Sequence, residues 1–518
     1  MVKIVIGNIY SKIVGFLPEE VQSDLYDILA YRVENAYHMP LFKKGKWDGY
    51  VRLYQRNKSQ SFHTGLLGIV RDILTKHNIE FAKIDDRERP AQNLPDLVFT
   101  PPPNFEEREY QEFTINKAIK FTRGILSVAT GGGKTSMVTQ IIGRLKTYPF
   151  LFYVLTKDLM EQAYDTLSLC LNEPIGRIGD SRYDIKKINV CTIQTAIRSL
   201  NIDNPKFKIS DYQFDDEDGW NEEKLIEDMD KNQRIRKLIN LTRGIYFDEA
   251  HHAAAKTVKE VLSASPSAYW RFGGSATPYR ESGDEIMIQA MFGGKIVDIP
   301  ASYLIKNDYL VPPHIFFVPI DTSIDYHSFP KIYKHCVVTN NHLNDHVAKT
   351  ANHLVSRGLS TLVLVKHYPQ GNYLKERIEN SEFVTGKMST KKRKENLERL
   401  RNRELMCMIA TSLADEGLDV PTLDAAILAG GGKSSTRLNQ RIGRTIRKEK
   451  EGLKNKSIVV VYDHYKTRFL KKHTKRVKTI LKKEKEFCII ESKGMDFVCD
   501  EIDETIGIKS NSDNIFKI

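Results

Sequence analysis

The sequence of 518 residues contains no apolar run that approaches the roughly 20 residues needed to cross a bilayer, and its start, MVKIVIGN, lacks a signal-peptide pattern. These absences predict a cytoplasmic protein without membrane contact. The six cysteines are scattered and include no CxxC pair, which favours reduced thiols over disulfides and suggests no zinc site. What the chain does have is enough length for about three domains and enough apolar residues for large cores.

The charge is unevenly distributed. The formal net charge of +12 favours a polyanionic partner, although ten acidic residues and one basic residue lie between Asp211 and Asp230, in a stretch that we interpret as a solvated insertion. Lys and Arg concentrate in residues 387–403 and 466–485. In the second segment Phe469, Leu470, Val477, Ile480 and Leu481 fall at helical spacing, so one face packs and the other is basic. A basic face that is only solvated is an equally good interpretation.

The sequence ATGGGKT (129–135) is typical of a phosphate-binding loop. It follows the strand-like ILSV (125–128) and precedes apolar residues at helical spacing, so the glycines are predicted to lie at a strand-to-helix turn. There the glycines and the helix N-terminus would bind phosphate, the lysine would lie between the β- and γ-phosphates, and the threonine hydroxyl would bind Mg²⁺. Val128 replaces the first glycine of the full pattern. The predicted ATP contacts are Thr130, Gly131, Gly132, Gly133, Lys134 and Thr135.

A second glycine-rich string, AGGGKS (429–434), also follows a strand-like run, AAIL. No helix with apolar periodicity follows it directly, and it leads into the arginine-rich QRIGRTIR (440–447). We therefore predict a loop here rather than a second nucleotide site.

The segment FDEAHH (247–252) follows a predicted buried strand, GIYF (244–247). In a doubly wound sheet this places its carboxylates near the phosphate loop. We expect Asp248 to hold Mg²⁺, Glu249 to polarise the attacking water, and His251 to link this site to Gln440 or to the GGSATP segment (273–278). An isolated acidic pair would be a solvated turn, but the strand and the phosphate loop argue against that interpretation.

In QRIGRTIR the side chains of Arg444 and Arg447 are three residues apart and point the same way on a helix, which suits neutralisation of charge on the γ-phosphoryl group. The alternative is a basic surface helix. Because this segment is far from the phosphate loop in sequence, we expect ATP to lie between two lobes that close on binding and release on hydrolysis. The predicted catalytic residues are Lys134, Asp248, Glu249, Gln440, Arg444 and Arg447.

Residues 1 to about 90 are predicted to form a small α/β module ahead of the Pro-rich LPDLVFTPPP (94–103). Strands are expected at VKIVI and GYVRLY, and helices after Pro18 and around Leu66 to Leu74. Its basic and aromatic residues suit a phosphate backbone and unstacked bases, whereas Trp47 and Tyr54 are alternatively core residues, an interpretation we prefer for Trp47. The candidates are Lys43, Lys44, Lys46, Trp47, Arg52 and Tyr54.

The ordered motifs resemble those of the superfamily 2 helicases with a DEAH box, over most of residues 105–465. The resemblance implies an α/β fold with two RecA-like doubly wound parallel-sheet lobes, ATP and Mg²⁺ as cofactors, and a nucleic-acid partner. ATPYR, DEGLDVP and QRIGR are closer to DNA-acting branches than to DEAD-box RNA helicases. We predict a module at 1–92, a linker at 93–104, lobes at 105–311 and 312–485, and a tail at 486–518.

The same resemblance implies roles for further residues. Tyr110 and Gln111, with Arg108, match the motif that reads adenine, and the segment IATSLADEGLDVP (409–421) contributes Gly417 and Asp419 to ATP binding. The resemblance implies that four residues couple the state of the nucleotide to the affinity for the nucleic-acid strand, namely His251, Ser275, Ala276 and Thr277. Strand contacts are implied for Thr156, Lys157, Thr192 and Gln194 in the first lobe and for Lys366, Gly386 and Thr411 in the second. In the N-terminal module, Lys43, Lys44 and Arg52 are the candidate DNA contacts.

The N-terminal segments FKKGKWDGYVRLY (42–54) and GLLGIV (65–70), joined to this motor, resemble the UvsW-type bacteriophage helicases. That resemblance implies ATP-dependent unwinding and branch migration with 3′-to-5′ tracking, in recombination, repair and replication. The implied partners are single-stranded, forked and four-way-junction DNA, with recombination or single-strand-binding proteins. A monomer is expected, in the host cytoplasm if a phage encodes it.

Two alternatives remain open. The first is a duplex DNA translocase, like the motor of a restriction system, which pumps DNA without separating strands; no nuclease-like set of carboxylates outside the motor supports it. The second is a non-catalytic nucleic-acid-binding module with a decayed ATPase. That alternative predicts loss of Lys134, Asp248, Glu249 or the arginines, and all are present.

Overall fold

The computed structural model describes residues 2–56, 59–90, 97, 99–101, 106–201, 222–276, 283, 285–322, 328–411, 423–430, 442–443, 445 and 456–508, with the backbone alone at 222–230 and 390. Two compact units are formed. The first comprises Met1–Val128 with Gly133–Asp298, and the second comprises Ala129–Gly132 with Ile299–Ile518.

The first unit begins with a small sheet in the order β5-β6-β2-β1-β7, in which only β1 and β7 pair in parallel. Strand β1 buries alternate side chains because one face of the sheet packs on helices. The predicted first helix is confirmed, with Pro18 at its N-cap. The strands are β1 Val2–Ile6, β2 Tyr10–Val14, β3 Ala30–Arg32, β4 Tyr50–Arg52, β5 Tyr54–Gln55, β6 Ser61–His63 and β7 Phe81–Asp85, and the helices are α1 Glu19–Ile28, α2 Pro40–Lys43 and α3 Leu67–Lys76.

A larger sheet follows in the order β11-β10-β12-β9-β13-β14-β8-β15. Strands β9 and β12 bury every residue, as parallel strands covered by helices on both faces do. The strands are β8 Arg123–Val128, β9 Phe150–Val154, β10 Ile175–Gly179, β11 Arg182–Asp184, β12 Ile188–Thr192, β13 Gly244–Asp248, β14 Trp270–Ser275 and β15 Lys295–Ile299. The helices are α4 Glu109–Phe121, α5 Lys134–Leu145, α6 Lys157–Cys170, α7 Ile193–Asn201, α8 Glu222–Leu241, α9 Lys256–Ser263 and α10 Glu285–Phe292.

The small sheet packs directly against the larger one. Residues of both belong to one continuous hydrophobic core, in which Leu66 and Val70 lie with Met287 and Phe292. Around Gly65 the approach is so close that a Cβ atom there would lie 2.1 Å from the carbonyl oxygen of Gln289. The Arg123 guanidinium also donates to the Asn8 carbonyl at 2.6 Å. The boundaries at 92 and 104 stay predictions, but the N-terminal module shares its core with the first unit.

The second unit contains a sheet in the order β18-β19-β17-β20-β21-β16-β22, with parallel pairing throughout. The predicted α/β class with two parallel sheets in tandem is therefore confirmed. The strands are β16 Pro313–Ile320, β17 Thr361–Leu364, β18 Ser381–Val384, β19 Cys407–Ala410, β20 Ala425–Leu428, β21 Ser457–His464 and β22 Cys488–Glu491. The helices are α11 Ala301–Lys306, α12 Phe329–Tyr333, α13 Asn341–Ser356, α14 Tyr368–Lys375, α15 Thr390–Arg401, α16 Arg468–Leu481 and α17 Val498–Ile506.

The C-terminal segment extends this sheet. Strand β22 lies in the segment 486–518 that sequence analysis gave as a tail, and it pairs in parallel with β16. Helix α17 then packs on α13, where the buried Asp503 carboxylate accepts from His353 Nε2 and Arg357 Nε at 2.9 Å each. The pKa of Asp503 is lowered, because these two partners outweigh the opposing effect of burial.

We predict that Gly65→Ala lowers the thermal stability of the protein. The added methyl group would meet the backbone of α10, and overpacking of this kind costs about 1–3 kcal/mol. Gly68→Ala is the matched control, because no atom lies within 4 Å of a Cβ at that exposed helical position. A melting temperature that falls for Gly65→Ala but not for Gly68→Ala, followed by circular dichroism, is expected. Equal melting temperatures would contradict the close packing of the N-terminal sheet.

Candidate functional site

The phosphate loop has the predicted strand-turn-helix geometry. It leaves β8, turns with positive φ at Gly131 (86°) and Gly133 (77°), and enters α5 at Lys134. Residues with a side chain rarely adopt these φ values, so glycine permits the turn and lets the backbone approach a ligand. Lys134 Nζ donates to the Val128 carbonyl at 3.2 Å, which holds the ammonium group beside the loop. This arrangement of helix N-terminus and lysine binds phosphate groups.

A buried glutamine lies against the loop from α4. A Cβ atom on Gly133 would lie 2.6 Å from Gln111 Nε2, so the loop and the glutamine are in contact. Gln111 Oε1 is buried, and among the described residues it has no hydrogen-bond partner. The neighbouring Tyr110 is also buried, and its hydroxyl accepts from Arg108 at 3.1 Å. An unsatisfied acceptor at this place fits the exocyclic amine of a bound adenine.

The acidic pair Asp248 and Glu249 lies at the end of β13. Glu249 adopts a left-handed backbone conformation (φ 59°), which turns the chain sharply after the strand. Burial and the charge of Glu249 raise the pKa of Asp248 to about 6, against the opposing charge of Lys134. Burial acts to raise the pKa of Glu249 too, but the imidazole of His251, whose Nδ1 lies 3.2 Å from Oε2, and the charge of Lys134 outweigh it and lower that pKa. Glu249 is thus ionised, and Asp248 carries negative charge that a divalent cation would compensate.

His251 connects the acidic pair to the next strand. Its Nδ1 lies 3.2 Å from Glu249 Oε2 and 3.2 Å from the Ser275 hydroxyl. Ser275 ends β14 and is aligned with Ser127 of β8, so it lies between the acidic pair and the phosphate loop. Ala276 follows directly, whereas Thr277 lies outside the described residues. The structure therefore brings the predicted coupling residues His251 and Ser275 into contact.

Tyr246 is a site residue that sequence analysis missed. Its hydroxyl group lies 3.3 Å from Asp248 Oδ1 and donates to that carboxylate. A Cβ atom on Gly274 would lie 1.8 Å from this hydroxyl, so the glycine leaves the room that the tyrosine needs. The register explains the contact, since Asp248 is aligned with Gly274 across β13 and β14. Because the residues of β13 are nearly all buried, its sequence shows no alternation that would single out Tyr246.

Two predicted strand-contact segments of the first unit come together at the carboxyl ends of β9 and β12. Gln194 Nε2 donates to the Leu155 carbonyl at 2.6 Å, and Thr192 donates to the Thr195 hydroxyl at 2.9 Å. Thr156 caps α6 by accepting from the Leu159 amide at 3.3 Å. Of this set, Lys157 is exposed and is paired with Asp180 at 2.7 Å. Contact of these residues with a nucleic acid stays a prediction.

The predicted contacts of the second unit also lie at one edge. Lys366, Gly386 and Thr411 follow β17, β18 and β19, which are neighbours in the sheet and parallel. Because the carboxyl ends of parallel strands meet at the same edge, the three residues lie on one side of the unit. Lys366 is exposed, and Thr411 is buried.

The N-terminal candidates divide into two groups. Lys43 and Lys44 are exposed at the end of α2. Arg52 instead forms an ion pair with Asp48 at 2.5 Å and lies 4.4 Å from the Tyr26 ring centroid, so DNA would have to share it with these partners. The preference for Trp47 in the core is wrong, since it is only half-buried and its indole donates to the Tyr50 carbonyl, whereas Tyr54 is fully buried.

Six of the predicted site residues lie outside the described part of the chain, namely Thr277, Gly417, Asp419, Gln440, Arg444 and Arg447. Residues 431–434 of the second glycine-rich string and residues 211–221 of the acidic stretch also lie outside it. The arginines therefore stay predictions. The six cysteines are free thiols, as predicted. In the described ranges no group of three or more His, Cys, Asp or Glu side chains is arranged to bind a metal ion, and no helix is long and apolar enough to cross a membrane.

Comparison with known proteins gives two family matches. Residues 104–280 match the family described as "Type III restriction enzyme, res subunit", and residues 345–449 match the family described as "Helicase conserved C-terminal domain". These matches include the phosphate loop, FDEAHH and GGSATP in the first range and QRIGRTIR in the second.

Similar proteins cover most of the chain. The protein called helicase 22 of the Sulfolobus islandicus filamentous virus is 28% identical over 408 residues, which are 73% of this chain and 67% of that protein. The ATP-dependent DNA helicase uvsW of Enterobacteria phage T4 is 22% identical over 474 residues, 86% of this chain and 87% of that protein. A solved structure of the ATP-dependent Type ISP restriction-modification enzyme LlaBIII bound to DNA shares the fold, with a TM-score of 0.53 and 14% identity, over 84% of this chain and 35% of that one.

We predict that Tyr246→Phe lowers ATP hydrolysis about ten-fold, because a hydrogen bond to a charged group contributes about 1.5–3 kcal/mol. The variant should require more Mg²⁺ for half-maximal activity, while ATP affinity measured without Mg²⁺ and the melting temperature stay unchanged. Glu249→Gln provides the reference, with hydrolysis abolished and DNA binding largely retained. If Tyr246→Phe hydrolyses ATP at the wild-type rate with the same Mg²⁺ dependence, the hydroxyl does not position Asp248.

Proposed function

Because this chain belongs to the superfamily 2 ATP-dependent DNA helicases, we propose that its substrate is branched DNA. It would unwind forks and move four-way junctions during recombination, repair and replication. The observation that carries the ATP-driven part of the proposal is the convergence of Lys134, Asp248, Glu249 and Ser275 at the carboxyl edge of one sheet. The similarity to uvsW over 86% of this chain supports the branched substrate.

In the proposed reaction the loop glycines and Lys134 bind the phosphates, and Gln111 binds the adenine. Asp248 and Thr135 would hold Mg²⁺, which supplies positive charge to the phosphate groups when bound. Glu249, whose pKa the nearby His251 and Lys134 keep low, accepts a hydrogen bond from the attacking water and orients it. Gln440, Arg444 and Arg447 are proposed to neutralise the charge that develops on the γ-phosphoryl group, and Gly417 and Asp419 to complete the nucleotide contacts.

Coupling is proposed to run from Glu249 through His251 to Ser275. The imidazole lies within hydrogen-bonding distance of both, so a change at the γ-phosphate alters the position of β14 and of Ala276 and Thr277 beyond it. Strand contacts by Thr156, Lys157, Thr192 and Gln194 in one unit, and Lys366, Gly386 and Thr411 in the other, would then alternate between firm and weak binding. Lys43 and Lys44 are proposed to contact an arm of the branch.

The energetic requirement for branch migration is small. DNA stacking contributes about 1.4 kcal/mol per base-pair step, but each pair that is broken is replaced by a new one, so the net cost per step is near zero. Binding through backbone phosphates gives little sequence preference and a strong dependence on salt. A monomer whose two units alternate between firm and weak binding of DNA satisfies these requirements. Single-strand-binding or recombination proteins would act on the same DNA.

A second candidate is a duplex DNA translocase of the restriction type. It is favoured by one observation, the match of residues 104–280 to the family of a restriction-enzyme subunit. Such a motor moves along intact duplex without separating strands. The two functions are distinguished by assaying strand displacement and translocation with one preparation.

The test of the proposed function is hydrolysis of ATP in the presence of competing nucleic acids. We expect a four-way junction or a fork to stimulate hydrolysis most, followed by single-stranded DNA, with duplex and RNA least, because only branched DNA has a branch point at which base pairs can be exchanged or opened. The same preparation should convert junctions to duplex products. Lys134→Ala should lose both activities, which excludes a contaminating ATPase. Stimulation by plain duplex without strand displacement would favour the translocase and contradict the helicase.

A further inference from the structure

A series of contacting aromatic rings runs through the second unit. The ring centroids of His367 and Tyr333 are 5.6 Å apart, and those of Tyr333 and Phe329 are 5.9 Å apart. Phe329 in turn lies 6.2 Å from Phe469 and 5.3 Å from His473. All four separations are in the range of tilted and edge-to-face aromatic pairs. We refer to these five residues as the aromatic series.

One end of the aromatic series lies at the predicted strand-contact edge. Lys366 and His367 follow β17 and are exposed. The Lys366 ammonium lies 5.1 Å from the centroid of the Tyr333 ring, a cation–π distance, which places its charge over the series. A nucleic-acid strand that reached Lys366 would therefore meet the exposed His367 ring next.

The other end lies on α16. This helix docks through a buried face made of Leu470, Val477, Ile480 and Leu481. Phe469 was expected on that packing face, but 41% of its surface is exposed. Part of the Phe469 ring is therefore not used in packing the helix, and this exposed surface is available to a planar ligand.

The lysines of α16 also fall into two groups. Lys478 is paired with Asp463 at 2.8 Å and with Glu491 at 2.7 Å, so its charge is used in ion pairs within the fold. Lys471 and Lys475 are exposed on the outer face, one turn apart, and within the described ranges neither forms an ion pair. No acidic side chain in the described part of the chain neutralises their charge, which is the condition for binding phosphates at low desolvation cost.

We propose that the aromatic series and the outer lysines of α16 bind single-stranded nucleic acid, as a continuation of the strand path from Lys366. The proposal rests on the proposed function, which brings a strand to Lys366. Bases would stack on the exposed rings of His367 and Phe469, and phosphates would contact Lys471 and Lys475. Exposed rings and lysines on one unit suit a single strand because its bases present free faces, whereas those of a duplex are stacked on one another.

The first test uses the full chain without nucleotide and labelled oligothymidylate, with binding followed by fluorescence anisotropy. Stacking of one base contributes enough that Phe469→Ala should weaken binding about five-fold or more. Phe469→Tyr should keep the wild-type affinity, and Phe469→Leu, which retains apolar volume but no π face, should behave like the alanine variant. Affinity for blunt duplex should be unchanged in all three variants.

The second test removes the two lysine charges. The double variant Lys471→Gln with Lys475→Gln should lower the slope of log affinity against log salt by about 1.4, since each phosphate contact to a single strand contributes about 0.7. The double variant Lys306→Gln with Lys349→Gln, at two exposed positions of the same unit, removes the same charge and should leave the slope unchanged.

The outcomes separate the two proposals. Wild-type affinity for oligothymidylate in Phe469→Ala and in the Lys471/Lys475 variant would overturn the inference about the aromatic series and leave the proposed function standing. If both double lysine variants weakened the binding of oligothymidylate equally, only net charge would matter, and this result would also overturn the inference. If wild-type protein binds no oligothymidylate, both the inference and the proposed function fail.

Discussion

The pairing register of β13, β14 and β8 is the constraint on which the site depends. It aligns Asp248 with Gly274 and Ser275 with Ser127, so the acidic pair, the coupling serine and the phosphate loop share one edge. A slip of one residue would turn each of these side chains to the opposite face of the sheet. The same register explains Gly274, whose missing side chain leaves room for the Tyr246 hydroxyl to reach Asp248.

The charges at this edge are incompletely balanced by the protein. Lys134 is the cation whose charge lowers the pKa of both Asp248 and Glu249, and the pKa of Asp248 nevertheless stays high at about 6. A further cation would offset this charge, in agreement with the proposed binding of phosphate groups and Mg²⁺. His251 Nδ1 lies 3.2 Å from the hydroxyl of Ser275, which ends β14, and this contact is the one through which we propose that nucleotide chemistry reaches the sheet.

Local patterns were predictable from the sequence, and long-range contacts were not. The strand, glycine turn and helix around residues 125–145 and the strand before Asp248 follow from periodicity within a few residues. The role of Tyr246 depends on a neighbouring strand, and the ion pair of Arg52 with Asp48 depends on side-chain geometry, so neither has a sequence signal. Strand β22 was missed because it is a short edge strand of only four residues. Phe469 was predicted to pack because it lies at helical spacing with apolar residues, but such spacing does not ensure burial, and its ring is exposed.

In the proposed mechanism the state of the nucleotide determines how firmly DNA is held. The most direct measurement is the affinity of the protein for single-stranded DNA without nucleotide, with a non-hydrolysable ATP analogue and with ADP, at one salt concentration. Coupling free energies of this kind are about 1–3 kcal/mol, so the affinities should differ about five-fold or more between nucleotide states. Ser275→Ala should reduce that difference while leaving nucleotide binding intact. Identical DNA affinity in all three states would contradict the central claim.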